Sequence, residues 1–180
     1  VTSRWRSRSS LWLVIALLAV TSTLLVGGLS YGVHRTSTLA LATCQPSSSA
    51  GQTVQVSLTD GGGMMGQSPM MLGLTPSPTS VAAGRVTFVA TNYGGLNHEF
   101  LVLPMPADGL GTRPVGADGK IDESSSLGEA SKSCAAGAGN GIAPGARSWV
   151  TLDLRPGTYE LLCDLPWHYA NGMYSSFTVT

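Results

Sequence analysis

In 180 residues the chain carries 23 glycines, 10 prolines and 11% charged against 43% hydrophobic residues, a composition of short strands and loops that argues against a helical bundle and bounds the chain to one folded domain. Its formal net charge of zero conceals an asymmetry: Arg4, Arg6, Arg8 and Arg35 lie in or beside the first apolar segment, and the ten cations less these four leave six against ten anions from Thr36 onward. No basic stripe interleaved with aromatics survives outside the N-terminus, so no nucleic-acid partner is expected.

Behind the arginines, residues 11–29 (LWLVIALLAVTSTLLVGGL) are 19 mostly apolar positions without charge. At about 1.5 Å per residue a helix of that length nearly matches the roughly 30 Å of a bilayer core, and the arginines ahead of it fix its start in the cytoplasm. The reading taken is an uncleaved membrane anchor over 1–35, with the folded part on the extracytoplasmic side of a cell membrane. Two alternatives stay open. One is a signal peptide cleaved at Ala40-Leu41-Ala42, well past the apolar run, giving a secreted or periplasmic protein; the other is lipid attachment at Cys44. Residues 36–52, rich in Ser, Thr, Ala and Pro without a period, read as a linker. The folded domain is then 53–180.

Residues 53–59 alternate Val54, Val56 and Leu58 with polar residues, the pattern of a half-buried strand. Residues 60–74 break it with three glycines, followed by Met64, Met65, Met70 and Met71. No Gly-Lys-Ser/Thr follows the glycines, so this is no phosphate loop; the methionines either fill irregular gaps or offer thioethers to Cu(I). Further strands are expected at 85–92 (Val86, Phe88 and Ala90 on one face) and at 98–104 (His98, Phe100 and Val102 on one face, Leu101 and Leu103 on the other). Three more follow at 147–154 (Val150, Leu152, Leu154 inward), 157–163 (Tyr159, Leu161, Cys163) and 173–180 (Met173, Phe177, Val179). The interval 104–146 has no strand period and admits only a short helix around Glu123–Lys132, with Cys134 as a staple. Asp118, Asp122 and Glu123 lack the alternation of a calcium loop and read as solvated acids.

The chemistry concentrates in residues 157–173 (GTYELLCDLPWHYANGM), where four residues separate Cys163 from His168 and four more separate His168 from Met173. A thiolate and two imidazoles in a trigonal plane, with a weak axial thioether, is the donor set of a mononuclear electron-transfer copper site; this stretch lacks one imidazole. His34 and His98 are the other histidines of the chain. His34 ends the apolar segment, whereas His98, like Cys163 and Met173, shares the parity of its own strand's apolar face. If a metal holds Cys163, Cys44 and Cys134 are left to pair across a loop of about 90 residues. The alternative pairs Cys163 with one of them and leaves no copper site. A filled ligand set without an open position, and too few histidines for further copper centres, argue against an enzyme.

Residues 91–100 (TNYGGLNHEF) set Asn92, Gly94 and His98 in a row, and together with YELLCDLPWHYANGM they resemble the cupredoxin family of small blue copper proteins over about residues 53–180. Within it the chain looks most like the membrane-associated sulfocyanin and auracyanin-like branches, whose second motif reads Cys, two residues, Pro, Gly, His and ends in Gly-Met. The resemblance implies an all-β, Greek-key β-sandwich of seven to eight strands, preceded here by the N-terminal anchor or signal helix. It implies one type 1 copper ion, with His98, Cys163 and His168 equatorial and Met173 axial. Two residues depart from the pattern: Trp167 stands where the family often has Gly, and Glu99 follows His98 where many members carry an Asn that ties the ligand loops together. That bond is left to Asn97 or Asn92. The function expected is outer-sphere Cu(II)/Cu(I) electron transfer at the outer face of a membrane, with redox proteins as partners. The alternative is copper handling or resistance, with the four methionines adding a Cu(I) site, and a metal-free interaction sandwich is third. Electrons are expected to pass through the edge of His168, framed by an exposed patch of Leu165, Pro166, Trp167 and Tyr169.

Overall fold

The structure, a computed structural model, describes residues 44–46, 51–61 and 71–180. Among them the chain forms β1 (Gln52–Gly61), β2 (Met71–Ser77), β3 (Ser80–Val81), β4 (Gly84–Asn92), β5 (Phe100–Pro104), β6 (Gly128–Lys132), β7 (Gly137–Gly141), β8 (Arg147–Leu154), β9 (Gly157–Leu162) and β10 (Tyr174–Val179). These ten strands make two sheets, one in the order β2-β1-β4-β8 and the other β3-β10-β9-β5-β6-β7. The expected β-sandwich is present, with more strands than the seven to eight foreseen.

Strand alternation builds the core. Val54 and Val56 of β1 pair with Phe88 and Ala90 of β4, and all four are buried, so one side-chain parity of the four-stranded sheet turns inward. Phe88 meets Phe100 of β5 and Phe177 of β10, with ring centroids 5.4 and 5.1 Å away. These two contacts join the sheets across the middle of the sandwich, in the tilted geometries aromatic pairs favour.

The other parity of β5 is not solvated. Leu101 and Leu103, with Leu162, form a second buried cluster with Ile121 and Tyr169, against which Val115 and Tyr174 pack. The segment 105–127 is therefore a cover over the outer face of the six-stranded sheet. Its anchor is Glu160, fully buried on β9, whose carboxylate accepts hydrogen bonds from the Gly111 amide (2.8 Å), Arg113 Nε (2.6 Å) and the Tyr169 hydroxyl (3.0 Å). Arg113→Ala leaves that carboxylate buried without its cation and should destabilise the fold by about 3 kcal/mol, read as a lower urea midpoint at unchanged slope.

Several expectations are corrected here. No helix occupies 123–132: the stretch has Ser124, Ser125, Ser126 and Gly128, poor helix formers, and residues 128–132 instead pair with β5, Phe100 opposite Ala130. Leu72 and Leu74, assigned to a methionine loop, belong to β2, with Leu74 opposite Leu58. The membrane anchor is not upheld: among the described residues no helix is long and apolar enough to cross a membrane. Residues 11–29, the alternative cleavage site and His34 fall outside the described residues, as do Met64, Met65 and Met70. Cys44 is disulfide-bonded to Cys134, so it has no thiol free for a lipid, and Cys163 is the free, buried cysteine.

Candidate metal centre

Neighbouring strands β10, β9 and β5 of the six-stranded sheet end side by side, and each delivers one residue to the same place. His98 lies two positions ahead of β5, Cys163 follows β9 directly, and Met173 directly precedes β10. His168 comes from the β9–β10 loop, ahead of a 3-10 turn at Tyr169–Asn171. His98, Cys163 and Met173 are fully buried, and His168 is partly open.

The donor atoms converge. His98 Nδ1 lies 3.3 Å from His168 Nδ1, and Cys163 Sγ lies 3.3 Å from that same nitrogen; all three sit within 4.8 Å of one another. Ligands at metal–nitrogen and metal–sulfur distances of roughly 2.0–2.3 Å stand about 3.4–3.9 Å apart around a shared ion, so the arrangement fits a single metal. Met173 is tied into the same corner through its backbone: its amide donates to the His168 carbonyl and its carbonyl accepts from the Cys163 amide, both at 3.1 Å.

Burial disfavours the charged form of all three donors. Burial pushes the Cys163 thiol up to about 12, against the pull of the Glu99 and Leu165 backbone N–H groups, the former 3.2 Å from the sulfur. A metal ion entering here displaces the thiol proton. Burial, foremost, also holds both imidazoles below their ordinary value, with Asp60 opposing it at each ring and His98 adding to it at His168. They are neutral at pH 7, the form that ligates. The acids that follow two of these residues, Glu99 and Asp164, are buried as well, and burial pushes each carboxyl up to about 7. Lys120 Nζ stands 3.8 Å from Asp164 and partly offsets them.

The expected tie between the ligand loops is made by neither asparagine: Asn97 bonds the Asn140 carbonyl, and Asn92 braces the segment ahead of His98. The buried Asn92 side chain donates to the carbonyls of Leu96 and Ile142 at 2.7 Å and accepts from the Gly94 amide at 2.8 Å, which fixes the loop leading to His98. Sequence reasoning missed Asp60, the penultimate residue of β1. Its carboxylate accepts from the amides of Gly95 (2.7 Å) and Leu96 (2.6 Å) and lies 3.2 Å from His98 Nε2. Gly94 is small for a reason: a Cβ there would come within 2.5 Å of the Asp60 carboxylate. One signal could have found Asp60, since it continues the parity of Val54, Val56 and Leu58 and so is an acid at an inward position.

The exposed patch around His168 also differs from expectation. Tyr169 is buried, its hydroxyl on Glu160 and its ring against Tyr174, while Leu165 packs on the core. Pro166 and Trp167 remain exposed. Trp167 has φ +70°, a left-handed backbone that suits glycine, which accounts for the usual Gly at this position. It is held by the Asn171 side-chain amide, which donates to its carbonyl at 2.7 Å, and by its own amide, which donates to the Gly119 carbonyl at 2.8 Å.

Two imidazoles and a thiol closing on one point at the end of a β-sandwich define a mononuclear site for a soft or borderline transition metal. The family model described as copper binding proteins, plastocyanin/azurin family, matches residues 62–180. The chain belongs to that family, whose members are electron carriers rather than enzymes. No curated protein sequence matches it. Among solved structures it is similar to a dithionite-reduced auracyanin from Roseiflexus castenholzii (19% identity, 73% of this chain and 99% of that chain, TM-score 0.47). It is also similar to auracyanin B (23%, 75% and 93%, TM-score 0.46) and to reduced rusticyanin (23%, 73% and 82%, TM-score 0.43).

Proposed function

We propose that this protein carries single electrons at one copper ion held by His98, Cys163 and His168, with Met173 as the axial ligand, and that its ligand loop is of the sulfocyanin and auracyanin-like kind. The observation that carries this reading is the convergence of two imidazole nitrogens and one thiol within 4.8 Å. When bound, copper supplies the one-electron Cu(II)/Cu(I) couple. The chain supplies rigidity and dryness. Three of the four residues are pinned at the ends of hydrogen-bonded neighbouring strands, and three are fully buried, which limits both ligand movement and water entry. The Glu99 amide, aimed at Sγ, steadies the charge of a thiolate there. Titration of the metal-free protein with Cu(II), followed by visible and EPR spectroscopy, tests the reading. An intense blue or green species saturating at one ion per chain is expected, and a colourless protein taking up more than one Cu(I) would favour copper handling instead.

His168, the partly open ligand, gives the shortest way in for an electron from a redox partner. Trp167, 54% exposed beside it, offers apolar area to a transient interface, of the kind that buries less than about 1,200 Å². Trp167→Glu should slow electron exchange with the partner by at least about tenfold, the equivalent of 1.4 kcal/mol, while the visible spectrum stays as it was. Unaltered stopped-flow rates would remove Trp167 from the interface.

A further inference from the structure

Among the described residues, Asp60 is the one side chain from the four-stranded sheet that reaches a ring nitrogen of the metal centre. Oδ1 accepts from Gly95 and Oδ2 from Leu96, both through backbone amides, and Oδ2 also faces His98 Nε2 at 3.2 Å. An ionised carboxylate only accepts, so a neutral His98 must carry its single ring proton on Nε2 and leave Nδ1 as a bare lone pair. Nδ1 is the atom that faces His168. The two amides, one on each oxygen, stop the carboxylate from turning away, and the absence of a Cβ at Gly94 leaves it room.

We propose that Asp60 is a positioning residue for the metal centre: it fixes the tautomer and ring orientation of His98 and, by making Nδ1 a stronger donor, favours the Cu(II) state. The second half rests on the copper reading above. A carboxylate behind a ligating imidazole raises its basicity, and losing such a partner typically costs 10–100-fold in metal affinity. A stronger nitrogen donor benefits the more highly charged ion more, so its loss weakens Cu(II) binding more than Cu(I) binding and raises the reduction potential.

Asp60→Asn keeps the size and an acceptor oxygen while removing the charge. Its Cu(II) affinity should fall by about 10–100-fold, and each tenfold by which the Cu(II) loss exceeds the Cu(I) loss raises the potential by about 59 mV. In the metal-free protein, nitrogen-15 NMR of His98 should show one tautomer, protonated on Nε2, in the wild type and a mixture in the variant. Gly94→Ala, which drives a methyl against the Asp60 carboxylate, should move both readouts the same way and covers the case in which Asp60→Asn folds poorly. A merely structural Asp60 would lower stability without moving either. An unchanged potential in a folded variant overturns the tuning role, and an unchanged His98 tautomer overturns the positioning role. A wild-type chain that takes up no Cu(II) sinks the copper reading instead, while the tautomer measurement still decides whether Asp60 positions His98.

Discussion

Cys163→Ser should abolish the intense visible absorption expected of the copper-loaded protein. A serine hydroxyl does not ionise at neutral pH and offers a hard oxygen where a soft sulfur stood, so the thiolate-to-copper charge transfer that gives such sites their colour has no source. The site left behind keeps the two imidazoles, and its EPR spectrum should be that of ordinary Cu(II) with nitrogen ligands. The fold should survive, because the Glu99 amide that points at Sγ finds an acceptor in the serine oxygen, and the net change of one buried hydrogen-bonding group is about 1 kcal/mol. Comparing colour with the urea midpoint therefore separates loss of the ligand from loss of structure. Retained colour in a folded Cys163→Ser protein would rule the sulfur out of the metal centre.

Removing the Cys44–Cys134 bond as the pair Cys44→Ser and Cys134→Ser should lower stability by about 4–5 kcal/mol. The bond spans 90 residues, and in the chain-entropy model a cross-link of that span removes this much freedom from the unfolded ensemble. Its place in the fold agrees. Cys134 lies in the turn between β6 and β7, where its amide donates to the Arg147 carbonyl of β8 at 2.7 Å, and Cys44 precedes β1. The link thus holds the start of the domain to the strands where the two sheets come close at one side. Because it touches none of the metal-centre residues, the copper spectrum should be the same in the double variant once folded. Equilibrium urea unfolding checks the first part, and a loss below about 1 kcal/mol would contradict it.

What could be read from the residues in order was whatever a local period or a fixed spacing records. The strands around Val54, Phe88, Phe100, Leu161 and Phe177 alternate cleanly, and Cys163, His168 and Met173 follow one another within a single loop, so both were legible. The parity of His98 with Phe100 and Val102 singled it out from His34. Of the edge strands, β8 was legible, whereas β2, β3 and β7 were not. β7 (GAGNG) has no apolar face to show, since its backbone pairing with β6 makes the strand, and β2 sits behind a glycine and methionine run. The cover 105–127 lacks a period because it packs as a loop through a few side chains, Ile121 above all, against residues that look exposed by alternation alone. Tyr169 was placed on the surface for the same reason. Asp60 stayed hidden because its partners are 35 to 38 positions away, a relation that only the parallel pairing of β1 with β4 creates.

That pairing makes the metal centre answerable to the whole sandwich. His98, Cys163 and Met173 ride on one sheet, while the carboxylate against the back of His98 rides on the other. Between the sheets stand Phe88, Phe100 and Phe177, which set the spacing at which Asp60 and His98 meet. The aromatic core thereby acts as a spacer for a polar contact at its end, and the tightness of packing in the middle of the domain is transmitted to a single imidazole nitrogen at its tip.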